Sequence, residues 1–364
     1  MAFALSANAE TGVTESAILI GQSAAFSGPA QELGLEMRQG AGLVFEAVNA
    51  QGGIHGRKIQ LVSHDDGYEP ERAAANTRKL IEQDRVFALF GYVGTPTSQS
   101  ALPIFTEARV PFIGAFTGAQ LLRDPFNRYV FNVRASYFDE TEKIVEQLVS
   151  LGVRTIAVFY QNDAYGKAGL AGVERALAKR SLKVAATATV ERNTTDVAAA
   201  VLAINPTRPD AVVMVSAYRS VAAFVREMKK AGSTSQFHNV SFVGSRPLAK
   251  ELGADGVGVA VSQVVPFPWS GSLPLTRDYQ RLMNASGAKE YSFTSLEGFI
   301  AARILVDGLR RAGRDLTREK LISALESMSN VDLGGFQVAF SPKNHNASSY
   351  VDLTIIGRNG LFVR

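Results

Sequence analysis

The chain has 364 residues, 46% hydrophobic and 20% charged, with 38 Lys and Arg against 34 Asp and Glu; one ordinary core rarely spans such a length, so two domains are expected. Its apolar runs fall well short of the roughly 18–20 residues that cross a bilayer, and the net charge of +4 is spread along the chain, so nucleic acid is a poor candidate partner. With no cysteine, disulfides, thiolate catalysis and cysteine metal sites are excluded.

The chain opens with MAFALSANAE, a short apolar stretch followed by the small-x-small pattern Ala7-Asn8-Ala9. This reads either as the remnant of a secretory signal or as a disordered tail, and residues 1–15 are set outside the fold. From Ser16, apolar runs suited to buried parallel strands alternate with helical patterns: AILIGQ (17–22), IQLVSH (59–64), VFALF (86–90) and VPFIGAF (110–116). Between the first two, Met37, Ala41, Val44, Phe45 and Val48 share one helical face, and Gly52-Gly53 stops that helix. Pro70 marks the first turn of the next helix.

A second alternating series follows NVRASYFDE (132–140). Its strands are expected at TIAVFY (155–160), KVAATATV (183–190), DAVVMVS (210–216), VSFVG (240–244) and GVAVSQVVP (258–266). Helical sequence over 275–328 and two closing strands, FQVAF (336–340) and YVDLTIIG (350–357), complete the chain. The expected class is α/β, with two doubly wound, Rossmann-like lobes.

Ligands of open parallel sheets bind beyond the carboxyl ends of the strands. The segments that follow the apolar runs are SAAFSGPAQELG (23–34), GYVGTPTSQS (91–100), AFTGAQ (115–120), YQNDAYGKAG (160–169), SAYRSV (216–221) and GSRPL (244–248). A cleft between the halves would gather all six, the usual place of a small-molecule site. The loop at 91–100 is rich in glycine and hydroxyls, as anion-cradling loops are, yet lacks the lysine of a phosphate loop.

Chemistry finds no foothold. His55, His64, His238 and His345 fall at no metal spacing and beside no nucleophile elbow, and read as surface or loop residues. His64-Asp65-Asp66 reads as a turn former rather than a cation site. Gly253–Gly258 (GADGVG) departs from a nucleotide fingerprint. No nucleophile–base pair emerges, so binding is favoured over catalysis, with neither metal nor cofactor expected.

The segment GPAQELGLEMRQGAGLVFEAVNAQGGIHGRKIQLVSHDDGYEPERAAANTRKLI (28–81) resembles the N-terminal signature of type I periplasmic solute-binding proteins, in their leucine/isoleucine/valine-binding branch. The likeness continues through VPFIGAFTGAQLLRD, YVFNVRASYFDE, YQNDAYGKAG and FVREMKKAG, nearly the whole chain. It implies three crossovers, near 132–136, 262–266 and 335–342. Lobe one would comprise 16–134 and 265–337, and lobe two 135–264 and 338–364. It also implies hinged closure on a ligand, a periplasmic location, a monomer, no enzymatic activity, and docking on the permease of an ABC transporter. A cytoplasmic ligand sensor of the same fold is the alternative.

The resemblance also assigns roles. Thr95 matches the hydroxyl that holds a ligand carboxylate, with Thr117 and Gly118 as the second half of the cradle. Tyr165 and Tyr218 match aromatics that close over the ligand, and Leu33 stands where an aromatic wall is common. Branched-chain binders often carry a small disulfide whose positions here are Tyr68 and Gly94. The acid that holds a ligand ammonium aligns near Arg246. That residue would suit an aromatic or dicarboxylic acid, whereas Asp163 or Glu297 could restore the charge an amino acid needs.

Overall fold

The computed structural model describes residues 10–288 and 290–364; Ala7-Asn8-Ala9 lies outside them. The chain builds β1 (Ala17–Ala24), α1 (Gln31–Ala50), β2 (Lys58–Asp65), α2 (Pro70–Glu82), β3 (Ala88–Phe90), α3 (Thr95–Glu107), β4 (Phe112–Ile113) and β5 (Val130–Phe131). The five strands form a parallel sheet in the order β2-β1-β3-β4-β5. β1 and β3 are almost wholly buried because helices cover both faces, which is why they read as continuous apolar runs.

The chain then crosses to a second sheet. It runs through α4 (Tyr137–Ser150), β6 (Ile156–Gln161), α5 (Ala164–Ala178), β7 (Thr187–Val190), α6 (Ala198–Ile204), β8 (Ala211–Val215), α7 (Tyr218–Lys230), β9 (Gln236–Asn239), α8 (Ser245–Leu252) and β10 (Ala260–Gln263). It next makes α9 (Pro274–Ala285), α10 (Phe293–Ala312), α11 (Arg318–Glu326), the ribbon β11 (Val331–Asp332) and β12 (Gln337–Val338), then β13 (Asp352–Ile356) and β14 (Phe362–Val363). The second sheet has the order β14-β13-β10-β9-β8-β6-β7; β13 runs antiparallel to both of its neighbours, β10 and β14, and the other pairings are parallel.

Helices α9 and α10 pack on α1 of the first lobe, and α11 packs on α10. The α1–α10 crossing is unusually close. A Cβ on Gly40 would lie 1.7 Å from the Ser295 carbonyl oxygen, and one on Gly298 would lie 2.2 Å from that of Met37. Only glycine admits backbones at this separation. Around it Met37, Ala41, Val44, Phe45 and Val48 are buried, the face that the sequence periodicity marks; each large apolar side chain contributes about 1.5–3 kcal/mol on burial. The segment after β5 pairs with a stretch near the C-terminus: Asn132 N–H donates to the His345 carbonyl at 2.8 Å, and Ala347 N–H to that of Asn132 at 2.9 Å.

Several expectations need correction. VSFVG is not a strand: β9 lies earlier, at Gln236–Asn239, and Ser241–Val243 is a 3-10 turn. Its apolar character comes from the contact that Phe242 makes across the lobes, not from a sheet interior. FQVAF supplies only the short strand of a separate ribbon. Residues 10–15, set aside as tail, are in part built into the first lobe: Leu19 N–H donates to the Gly12 carbonyl at 2.8 Å, and Val13 is buried. His238 and His345 are buried rather than superficial; the His345 ring stacks on Phe131 at 3.9 Å, beside the crossing strands.

Candidate ligand-binding site

The carboxyl ends of β3, β6, β8 and β9 lead, through short turns, into the first turns of α3, α5, α7 and α8. Helix N-termini present free N–H groups and the positive end of the helix dipole. Gly94 caps α3 with φ 103° and ψ 154°, a conformation open to glycine, and so places Thr95 as the first helical residue. Thr95 and Thr117 meet at 2.6 Å between their hydroxyl oxygens, and the Thr117 hydroxyl donates to Tyr137 Oη at 3.3 Å. All three side chains are buried. Burial pushes the Tyr137 phenol up to about 12, although the Arg134 guanidinium opposes this, so Tyr137 stays neutral at any physiological pH.

Gly118 serves by having no side chain. A Cβ there would lie 2.7 Å from the Tyr137 ring, while its carbonyl accepts from Tyr137 N–H at 2.8 Å. The start of α4 thus rests on the hydroxyl-bearing loop of the first lobe.

The second lobe supplies the apolar wall. The Tyr165 ring lies 4.6 Å from Phe242 and 5.4 Å from Tyr137, and Phe242 lies 5.2 Å from Phe116 and 5.9 Å from Tyr68. The Tyr165 hydroxyl is buried without a hydrogen bond, and the Glu32 backbone lies beside the buried Tyr218 hydroxyl. Leu33 is buried against Gly244, where an added Cβ would meet its Cδ2 at 2.5 Å. The structure therefore brings Thr95, Thr117 and Gly118 together with the Tyr165 aromatic wall, and sets Leu33 and Tyr218 where α1 meets the second lobe.

Arg246 stands apart from that cluster. Its Nε lies 2.6 Å from Glu36 and its Nη2 3.4 Å from Glu32, both on α1, and Nη1 pairs with Glu290. Burial pushes the Glu36 carboxyl up, against the opposing pull of Arg246. The guanidinium is committed to protein carboxylates and joins the lobes. A second interlobe contact lies on Tyr68, Glu69 and Gly67. Arg192 pairs with Glu69 at 2.8 Å, Asn193 Nδ2 donates to Glu69 at 2.8 Å and to the Gly67 carbonyl at 3.1 Å, and Gln161 donates to Tyr68 Oη at 3.2 Å. Asp163 caps α5, accepting from Tyr165 N–H at 2.9 Å.

Arg134, between β5 and α4, is fully enclosed. It donates to Glu140 at 2.9 Å and to Ser241, lies 3.4 Å from Glu297 and covers the Phe116 ring at 5.0 Å. Glu140 also accepts from Ser241 N–H at 2.7 Å and Ser262 Oγ at 2.6 Å. Burial raises Glu297 to about 7, with Arg134 opposing.

Sequence reasoning missed Tyr137, Phe242, Tyr68 and Arg134. Only Tyr137 carried a local signal: Ser136 and Asp139 form a capping box that starts α4 at that residue.

A family model described as periplasmic binding protein matches residues 17–360. The chain belongs to the periplasmic binding protein family. Among its relatives, this binding protein is 25% identical over 352 residues to Leu/Ile/Val-binding protein homolog 7 of Brucella suis, covering 90% of this chain and 86% of that one. Its structure is similar to that of a possible leucine/isoleucine/valine-binding protein from Rhodopirellula baltica, with 36% identity, a TM-score of 0.91 and coverage of 96% and 97%. It is also similar to a substrate-binding periplasmic protein from Ralstonia solanacearum, with 34% identity, a TM-score of 0.89 and coverage of 95% and 99%. The two-lobed α/β fold is that of type I periplasmic binding proteins, and the binding protein is placed with their leucine/isoleucine/valine-binding branch.

Proposed function

We propose that this binding protein works in the periplasm as the solute receptor of an ABC importer, capturing a small carboxylate between its lobes and presenting it to a membrane permease. The observation that carries the reading is the Thr95–Thr117 hydroxyl pair, buried at the N-terminus of α3 and enclosed by Tyr137 and Tyr165 of the other lobe. A carboxylate placed there would receive hydroxyl and N–H donors and a favourable helix dipole, enough for a single negative charge without lysine. Thr95, Thr117 and Gly118 form the anion cradle, Tyr165 and Tyr218 close over the body of the ligand, and Leu33 shapes the wall. Arg246 is reassigned to holding the lobes together. The relatives' names, Leu/Ile/Val-binding among them, support an amino acid or a related small acid as ligand.

The test is a calorimetric screen of small carboxylates, with scattering measured on each binder. Binding that shrinks the radius of gyration and raises the melting temperature supports hinged capture. Binding with an unchanged envelope removes the hinge, and no binding of any carboxylate removes the reading.

A further inference from the structure

We propose that a second copy of this chain docks on the free edge of β2, laying its own β2 antiparallel to the first. The binding protein then pairs through its first lobe, in place of the monomer that the resemblance implies. The pairing does not depend on which ligand the cleft holds.

β2 is the longest outer strand of the two large sheets, with eight residues against two in β5 and β14 and four in β7. Alternate residues of a strand turn their backbone groups to opposite edges. Lys58 N–H turns inward, donating to the Ser16 carbonyl at 2.8 Å, and Asp66 N–H donates to that of Ala24 at 3.0 Å. Ile59, Leu61 and Ser63 therefore turn outward. Asn49 closes the edge at Ile59: its Oδ1 accepts from Ile59 N–H and its Nδ2 donates to the Ile59 carbonyl, both at 2.8 Å. The outward backbone groups of Leu61 and Ser63 meet no partner among the described residues. A bare edge of this kind recruits another strand.

The helix beside the edge is built to match. Leu35, Arg38, Gly42, Glu46 and Asn49 stand at i, i+3, i+7, i+11 and i+14 on α1, and with β2 they line a groove of about 710 Å3. Gly40 is required by the crossing with α10, but nothing inside the chain requires Gly42. An added Cβ there would meet only Glu46 Oε1, at 3.8 Å, although glycine weakens a helix interior. Its bareness leaves room for a partner's helix.

Arg38 and Glu46 flank Gly42, each four residues away, or about 6 Å along the axis. Arg38 lies over the Phe26 ring at 4.1 Å, Glu46 is exposed, and neither forms an ion pair among the described residues. A two-fold axis passing Gly42 sets each Arg38 opposite the Glu46 of the second copy, so the face is its own complement. The strands fit the same axis. From the Asn49–Ile59 contact, seven helical residues back to Gly42 and three strand residues on to Val62 each span about 10 Å. Gly42 and Val62 thus lie level, and an axis at Val62 pairs Leu61 of each copy with Ser63 of the other.

The experiment is sedimentation of the full chain from about 1 µM to about 1 mM, a range that brackets a weak dimer. The expected result is a reversible dimer whose β2 amides exchange more slowly at high concentration. Gly42→Gln should raise the melting temperature of the dilute chain, because it removes a helical glycine, yet weaken the dimer about tenfold or more. Arg38→Glu should weaken it too, and adding Glu46→Arg should restore it. A chain that stays monomeric throughout overturns the proposal; slow β2 exchange in that monomer would place another segment of the same chain on the edge. A dimer that Gly42→Gln leaves intact is made elsewhere, and overturns it as well.

Discussion

Glu36 on α1 and Arg246 on α8 meet at 2.6 Å, and through them the first and second lobes share one ion pair, with Glu32 and Glu290 around the same guanidinium. Glu36 is 3% exposed whereas the Arg246 side chain is 28% exposed, so the pair lies between the buried and surface regimes.

Replacing Arg246 by Gln leaves Glu36 enclosed without its cation. The expected cost is about 1–3 kcal/mol, between the values for exposed and fully buried pairs. Thermal melts should show the loss. Ligand affinity should also become less sensitive to salt than in the wild type, because a screened interlobe attraction has gone. An unchanged salt dependence in calorimetry would show that the pair does not contribute to closure.

Thr95→Ala removes a hydroxyl from the α3 cradle. The expected loss for a hydrogen bond to a charged acceptor is about 1.5–3 kcal/mol, tenfold or more in affinity. Thr95→Ser, which keeps the oxygen, should recover most of it. If the serine variant binds as poorly as the alanine variant, the methyl group rather than the hydroxyl is what matters.

Glu297 offers a pH test. Its carboxyl is raised from the ordinary 4.5 to about 7 by burial, so the folded chain holds this proton more tightly than the unfolded chain. Stability from this group is therefore present at low pH and declines as pH rises from about 4.5 through 7. Glu297→Gln, which cannot ionise, should gain melting temperature relative to the wild type between pH 5 and pH 8 (roughly the window set by that shift). A difference that is flat with pH would place the titration elsewhere.

Gly94 is constrained twice. Its φ is 103°, and an added Cβ would lie 2.2 Å from Cε2 of Tyr68. Gly94→Ala should cost at least about 2 kcal/mol from backbone strain and overpacking. Pairing it with Tyr68→Ala should cost less than the sum of the single changes, since the ring that clashes has been removed. Additive losses in denaturant melts would assign the whole effect to the backbone.

What the sequence disclosed followed from period and punctuation. The α1 face from Met37 to Val48 was legible because one side of a helix faces a core, and Pro70 and Gly52-Gly53 were legible as ends. The segments that carry Thr95, Thr117 and Gly118 were reachable because turns after buried strands converge, whereas the residues themselves were singled out by the family resemblance. Phe242 was not: an apolar pair that packs on another lobe has the same composition as a short strand. The ion pairs of Arg246 were hidden for a related reason. Its partners Glu32 and Glu36 lie more than two hundred positions earlier, and no local pattern announces an ion pair made through tertiary closure. Tyr68 and Arg134 likewise owe their roles to partners distant in the chain, Gln161 for one and Glu297 for the other.

The close crossing of α1 and α10 at Gly40 and Gly298 has a bearing on how the chain acquires its shape. The first lobe is not a contiguous segment: α1 is made early, yet the backbone it rests on belongs to residues 293–312. During synthesis α1 therefore has to wait for the second lobe's whole parallel series before its buried face is covered. Such distant pairings bring a large loop-closure entropy and slow folding. The first lobe is thus the later one to consolidate, although it begins first, and until then its apolar helix face is the stretch of the nascent chain most in need of protection from aggregation.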